Sequence, residues 1–271
     1  MKVSSPPASG LSIGLRETLR AVDRFTSFDG TKIAYQVAGE GRDTLLLHGF
    51  AAEHHSNWIA PGIVGALLMR DRRVILADAR GHGQSEKPHD VAAYDNNAVV
   101  KDAAALLDHL DVEHVDVIGY SMGAMTAARL VPDEPRARSV VLGGVGDKLL
   151  IRRSARARNA IADALLAENA RSIEHPAPRA FRRFAERTGA DREALAAFQR
   201  AADAISPPEV ERITIPTLVI AGSGDTLAGS VEGLAAQIHG AQGRVVPGEH
   251  LTAMFQAEFT DEVVTFLASV V

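Results

Sequence analysis

The sequence predicts an α/β fold: a mostly parallel, doubly wound sheet with an antiparallel N-terminal hairpin and a small helical insertion. Three observations carry that expectation. From residue 44 onward, short apolar runs alternate with amphipathic stretches, the pattern of βα units joined by right-handed crossovers. Before that point, two strand-like runs flank Asp29-Gly30, a strong hairpin signal. Between residues 148 and 206 the alternation stops for a helical stretch rich in Ala and Arg.

Taken in order, Met1–Gly10 is rich in Ser and Pro and reads as a loosely packed arm, followed by a short helix over Leu11–Val22. Arg24–Ser27 and Lys32–Val37 form the hairpin. Thr44–Leu47 is a buried strand ending in His48-Gly49-Phe50, and Ile63–Met69 is helical. Val74–Ala77 is the next strand, then Asn97–Leu110 an amphipathic helix. Val115–Ile118, Ser139–Leu142, Thr217–Ala221 and Arg244–Val246 complete the strands, and Glu258–Val271 closes the chain as a helix. The organisation expected is therefore an arm over 1–22, a core over 23–147 and 207–271, and a helical insertion at 148–206.

The chain has 271 residues, enough for one large core with an insertion. Its net charge of −5 gives no reason to expect nucleic-acid binding. There is no cysteine, which excludes disulfides, thiolate catalysis and Cys-ligated zinc. Met1–Gly14 lacks a secretory pattern and no run approaches the length of a membrane span, so the expectation is a cytoplasmic protein without a membrane span. The glycine-rich loops form neither a P-loop nor a dinucleotide fingerprint in context, and no cofactor or metal is expected. Nothing in the sequence sets the oligomeric state.

Ligands of open α/β sheets bind beyond the carboxyl ends of the strands. Polar residues just after strands are thus the candidates for chemistry. Gly119-Tyr120-Ser121-Met122-Gly123 is a G-x-S-x-G between a strand and a helix, where a very tight turn presents the serine. A bare glycine-rich turn with a capping serine would look the same over five residues. A serine nucleophile needs a base, and His250, in the loop after the last strand, is the best placed of ten histidines. The imidazole needs a carboxylate. Asp225 after Thr217–Ala221 is preferred, with Asp147 as its rival. The backbone N–H groups of Met122 and Phe50 are the candidate oxyanion donors. His48 and His82 read as structural residues of tight loops. His54 and His55 stand either at a pocket mouth or in solvent. Asp78 reads as the partner of Arg80 in a loop-stabilising ion pair. His89, His109, His114, His175 and His239 read as surface residues.

His48-Gly49-Phe50, the Asp78-Ala79-Arg80-Gly81-His82-Gly83 loop, the Ser121 pentapeptide, Gly222-Ser223-Gly224-Asp225 and Gly248-Glu249-His250 resemble the α/β-hydrolase fold family in order and spacing, over about residues 25–271. The resemblance implies a cap over the active site at Lys148–Ser206 and a small-molecule carboxylic ester as substrate. The alternatives it leaves behind that first reading are a cofactor-free perhydrolase or haloperoxidase, and a C–C bond hydrolase, with the same three residues. A small-ligand receptor on this fold is the alternative from another class. The Asp78–Gly83 loop is similar to that of epoxide hydrolases and haloalkane dehalogenases. Those enzymes carry an aspartate where this chain has Ser121, so neither activity is expected.

The insertion is also electrostatically distinct. Residues 152–203 hold eleven arginines and seven acids, a local excess of +4 in a chain of net −5. Two readings stand: a basic lid that attracts anionic substrates, and a helical surface kept soluble by arginines that point to water.

Overall fold

The computed structural model describes residues 19–270, apart from 96, 152–153, 203–204 and the side chain of Pro208. The N-terminal arm and most of the helix expected over Leu11–Val22 lie outside the described residues. Leu19 and Arg20 do not form a helix. Leu19 makes an antiparallel bridge to Ala38, and the Arg20 amide donates to the Val37 carbonyl at 3.2 Å. The following strand is too short to cover all of its neighbour, and these residues fill the uncovered edge.

In chain order the elements are β1 (Asp23–Thr26), β2 (Lys32–Ala38), β3 (Arg42–Leu47), α1 (Ile63–Leu68), β4 (Arg72–Ala77), α2 (Ala98–His109), β5 (Val115–Tyr120), α3 (Met122–Leu130) and β6 (Ala137–Gly143). Three helices follow: α4 (Ala155–Leu166), α5 (Pro176–Thr188) and α6 (Arg192–Ala201). The chain ends through α7 (Pro207–Glu211), β7 (Thr217–Gly222), α8 (Val231–Ala235), β8 (Gln242–Val246) and α9 (Ala257–Ser269). The eight strands form one sheet in the order β1-β2-β4-β3-β5-β6-β7-β8. β1, β2 and β4 pair antiparallel, and every pairing from β4 to β8 is parallel.

Strands buried on both faces need apolar residues at consecutive positions, and alternate ones serve opposite layers. Leu45, Val117 and Leu142 pack with Leu106, Ala127 and Leu234 of α2, α3 and α8. Leu46, Ile118 and Val141 face the other way, onto Leu67, Phe259 and Val263 of α1 and α9. The chain steps from β3 outward to β4, then returns to the far side of β3 for β5. The loops after β3 and β5 therefore diverge and leave a crevice at the carboxyl ends.

Two expectations fail in the loop after β4. Asp78 does not pair with Arg80. The Arg80 guanidinium is fully buried and turns the other way, its Nε and Nη2 donating to Asp102 at 2.6 and 2.7 Å and its Nη1 to Asp29 at 2.8 Å. A buried guanidinium is stable only where several acceptors satisfy its fork of donors, and one neighbouring carboxylate cannot do that. Asp78 takes His54 instead, with Nδ1 at 2.8 Å from Oδ1. His54 is thus buried, neither at a pocket mouth nor in solvent; His55 is exposed.

Helices α4 to α6 enclose their own small core, Ile161, Leu165, Ala185 and Leu195, which closes on Ala51 after β3. The arginines here do not all face water. Arg182 is 3% exposed and donates to the carbonyls of Ala164, Leu165 and Ala167. The last carbonyls of a helix lack intrahelical partners, and Arg182 supplies them at the end of α4.

Candidate active site

The glycines around Ser121 are required by close approach. A Cβ at Gly119 would strike the Gly123 carbonyl, and one at Gly123 would strike the Leu47 carbonyl of β3. The turn so compressed holds Ser121 at φ 54°, ψ −109°, a conformation L-residues rarely adopt. Its amide donates to Gly143 of β6 at 2.8 Å, fixing the turn to the sheet.

The structure brings three distant side chains into one hydrogen-bonded chain. Ser121 Oγ lies 3.0 Å from His250 Nε2, and His250 Nδ1 lies 2.8 Å from Asp225 Oδ2. The other oxygen of Asp225 accepts the amides of Leu227 and Ala228, each at 3.0 Å. This carboxylate is buried and acceptor-only, so His250 carries its proton on Nδ1 and offers Nε2 as acceptor to the serine hydroxyl. Asp147, the rival acid, lies elsewhere and accepts the Ser230 amide at 2.8 Å.

Phe50 follows β3 in the loop opposite Ser121. Neither its amide nor that of Met122, at the first position of α3, donates a hydrogen bond among the described residues outside the helix ladder. Two residues that sequence reading passed over hold the loops. Asn57 Oδ1 accepts the Gly49 amide at 2.8 Å, and the Tyr120 hydroxyl donates to the His250 carbonyl at 2.6 Å. Neither carried a local signal, because each acts across a break in sequence.

The histidines of the glycine loops are structural, as expected of them. His48 donates through Nδ1 to the Gly49 carbonyl and accepts the Ala79 amide on Nε2 at 3.0 Å. Burial lowers its pKa and pushes that of His82 down to about 3, so both stay neutral. His89, His109, His114, His175 and His239 are exposed, as expected, and His109 also stacks on Phe25 at 5.1 Å.

A cavity of about 360 Å³ opens over Ser121 and His250. Phe50, Met122, Met125, Phe181 and Phe198 give it an apolar lining, with Phe181 and Phe198 contributed by α5 and α6. Arg129, Lys148 and Arg158 also line it. Among the described residues, Glu53, His54 and Asp78 form a group with metal-ligand spacing. Their oxygens are already engaged: Asp78 accepts from His54 and Gln84, and Glu53 from the amides of His55 and Ser56.

The family model of the α/β-hydrolase fold matches residues 45–156. The enol-lactonase of Burkholderia xenovorans LB400 superimposes with a TM-score of 0.76 at 26% identity, covering 91% of this chain and 100% of that one. The chain has the α/β-hydrolase fold. Two curated relatives match part of this chain. An uncharacterised protein of Mycobacterium bovis is 35% identical over 116 residues, 42% of this chain and 31% of that protein. A non-heme haloperoxidase of Rhodococcus erythropolis is 34% identical over 126 residues, 44% of this chain and 43% of that protein. The chain thus spans less than half the length of each of these relatives.

Proposed function

We propose that the protein is a serine hydrolase that cleaves a small carboxylic ester through an acyl-enzyme. The observation that carries this reading is the hydrogen-bonded chain from Ser121 through His250 to Asp225, at 3.0 and 2.8 Å, at the floor of an apolar cavity. Ser121 Oγ attacks the ester carbon while His250 Nε2 takes its proton. The negative charge that develops on the carbonyl oxygen is received by the amides of Phe50 and Met122, each such donor contributing about 3 kcal/mol. His250 returns the proton to the departing alcohol, then removes one from the water that releases the acid. Asp225 fixes the His250 tautomer and stabilises the imidazolium of both steps.

The test is chemical labelling together with turnover. A fluorophosphonate probe should modify Ser121 and leave Ser121→Ala untouched. Hydrolysis of p-nitrophenyl esters should fall by about 10⁴-fold or more in that variant. Labelling of another serine, or undiminished turnover, would refute the assignment.

A further inference from the structure

Gln199 lines the cavity from the last turn of α6 and is 7% exposed. Its side chain carries one acceptor and two donors. Among the described residues nothing donates to that amide or accepts from it. Nor is the amide sealed inside the protein. The side-chain atoms closed off without a partner include Asn57 Nδ2, Trp58 Nε1 and His82 Nε2, and none belongs to Gln199. The small surface that the residue keeps therefore includes its amide, open to the cavity it lines.

The other polar side chains of the lining are engaged. Thr126 Oγ1 donates to the Met122 carbonyl at 3.1 Å, the Tyr94 hydroxyl to that of Pro88 at 2.7 Å and Lys148 Nζ to that of Thr226 at 2.7 Å. Arg129 Nε lies 3.2 Å from Glu209 Oε1, and Arg158 is partnered too. Asn97 is exposed. Gln199 is thus the buried polar side chain of this lining that keeps its hydrogen-bonding capacity unspent among the described residues. Its neighbour Phe198 packs on Phe50 with ring centroids 5.8 Å apart, so this turn of α6 stands beside the residue whose amide receives the oxyanion in the reading above. Native chains leave few buried polar groups unmet, and apolar pockets orient ligands through a few placed polar groups. A ligand that displaces water from such a group must replace its bonds or lose affinity.

We propose that Gln199 is a specificity-determining residue, and that the substrate is an ester with a primary carboxamide in the part that does not react. This deepens the hydrolase reading and rests on it. The oxygen and NH₂ of Gln199 lie side by side in one plane. A primary carboxamide presents a donor and an acceptor in the same arrangement, so the two amides close a ring of two hydrogen bonds. A trans secondary amide holds its N–H and C=O on opposite sides and meets only one of them. A carboxylate only accepts, and leaves the oxygen of Gln199 unmet.

Three matched series of ethyl esters of rising chain length test this, ending in a primary carboxamide, a methyl ketone or an isopropyl group. The three ends have nearly the same shape and offer a donor with an acceptor, an acceptor alone, and neither. Gln199→Met keeps the length of the side chain and removes its hydrogen bonds. At the chain length that fits, the kcat/KM ratio of carboxamide to isopropyl ester falls roughly thirtyfold in Gln199→Met, the weight of two ordinary hydrogen bonds, and the ketone ratio about fivefold, the weight of one. The isopropyl ester itself gains, which damage to the fold would not produce. A fall below threefold at every chain length overturns the proposal, and an equal fall for ketone and carboxamide overturns the carboxamide class. Binding to Ser121→Ala, measured by calorimetry, separates the two readings. Preferential binding of the carboxamide ester, lost when Gln199→Met is added, upholds the role of Gln199 even where no ester is turned over, and then only the hydrolase reading fails. Equal binding of the three esters, with hydrolysis intact in the parent, removes the role of Gln199 alone.

Discussion

Replacing Asp225 by asparagine tests the orienting role of the carboxylate with one atom changed. The carboxylate accepts three N–H groups, Leu227 and Ala228 on Oδ1 and His250 Nδ1 on Oδ2. An asparagine has one oxygen and must choose. Facing its oxygen to the two backbone amides keeps two bonds; facing it to His250 keeps one and sets its NH₂ against two donors. At about 1 kcal/mol per bond, plus the penalty for opposed buried donors, the first orientation wins by roughly 2–3 kcal/mol. The NH₂ then donates to His250 Nδ1, which moves the imidazole proton to Nε2. That nitrogen can no longer accept from Ser121. The expected loss in kcat is about 10⁴-fold, or ~5.5 kcal/mol, the known weight of a wrong tautomer in such a triad. Because the backbone bonds survive, the melting temperature should stay close to that of the parent. Steady-state hydrolysis of a p-nitrophenyl ester gives kcat, and differential scanning calorimetry reports on folding. Asp147→Asn, whose carboxylate accepts the Ser230 amide among the described residues, should keep kcat within threefold. A folded Asp225→Asn protein with kcat within tenfold of the parent would refute the reasoning, as would a larger loss in Asp147→Asn.

Two further outcomes are expected. Tyr120→Phe removes the 2.6 Å hydrogen bond to the His250 carbonyl, and should lower kcat roughly 5- to 15-fold, about 1–1.5 kcal/mol, with little change in KM; an unchanged kcat would show that the His250 loop holds itself. The His54–Asp78 pair should make stability depend on pH. Burial disfavours both charged forms, but the hydrogen bond and charge of Asp78 raise the His54 pKa, and the bond from His54 with the nearby imidazoles takes Asp78 below the usual carboxylate range. The Asp78 contribution is present above an unfolded value near ~3.9 and lost as pH falls through the folded one; that of His54 is complete below ~6.5 and lost as pH rises through its raised value. The urea midpoint should therefore drop between pH 6 and 9 more steeply in the parent than in His54→Gln, and parallel slopes would exclude the pair as the cause.

What was legible in the sequence was what the chain encodes locally. Val115–Ile118 and Thr217–Ala221 announce buried strands by continuous apolar runs, and both lie within the observed β5 and β7. Gly119 and Gly123 announce a turn so tight that the serine between them is constrained. The positions of Ser121, Asp225 and His250 after strand ends were enough to anticipate that they meet. What escaped was set by contacts between segments remote in sequence. Asn57 is a polar residue like many others until the fold sets it 2.8 Å from the Gly49 amide. Asp78 and Arg80 stand two residues apart with opposite charges, yet the turn sends them to different neighbours, 24 and 22 positions away. The cavity was equally hidden, because Phe181 and Phe198 line it only once α5 and α6 pack over Ser121 and His250.

The backbone of Ser121 carries a consequence for how this chain responds to selection. An L-residue at φ 54°, ψ −109° costs about 1–3 kcal/mol relative to a relaxed conformation, and glycine would avoid most of that. Position 121 is thus where thermodynamic fitness and chemical competence pull in opposite directions. In a laboratory lineage screened for heat resistance alone, with no demand for turnover, Ser121→Gly is a change that should rise to fixation early. A lineage kept under catalytic demand would retain the serine and accumulate its gains elsewhere, in the surface helices and loops.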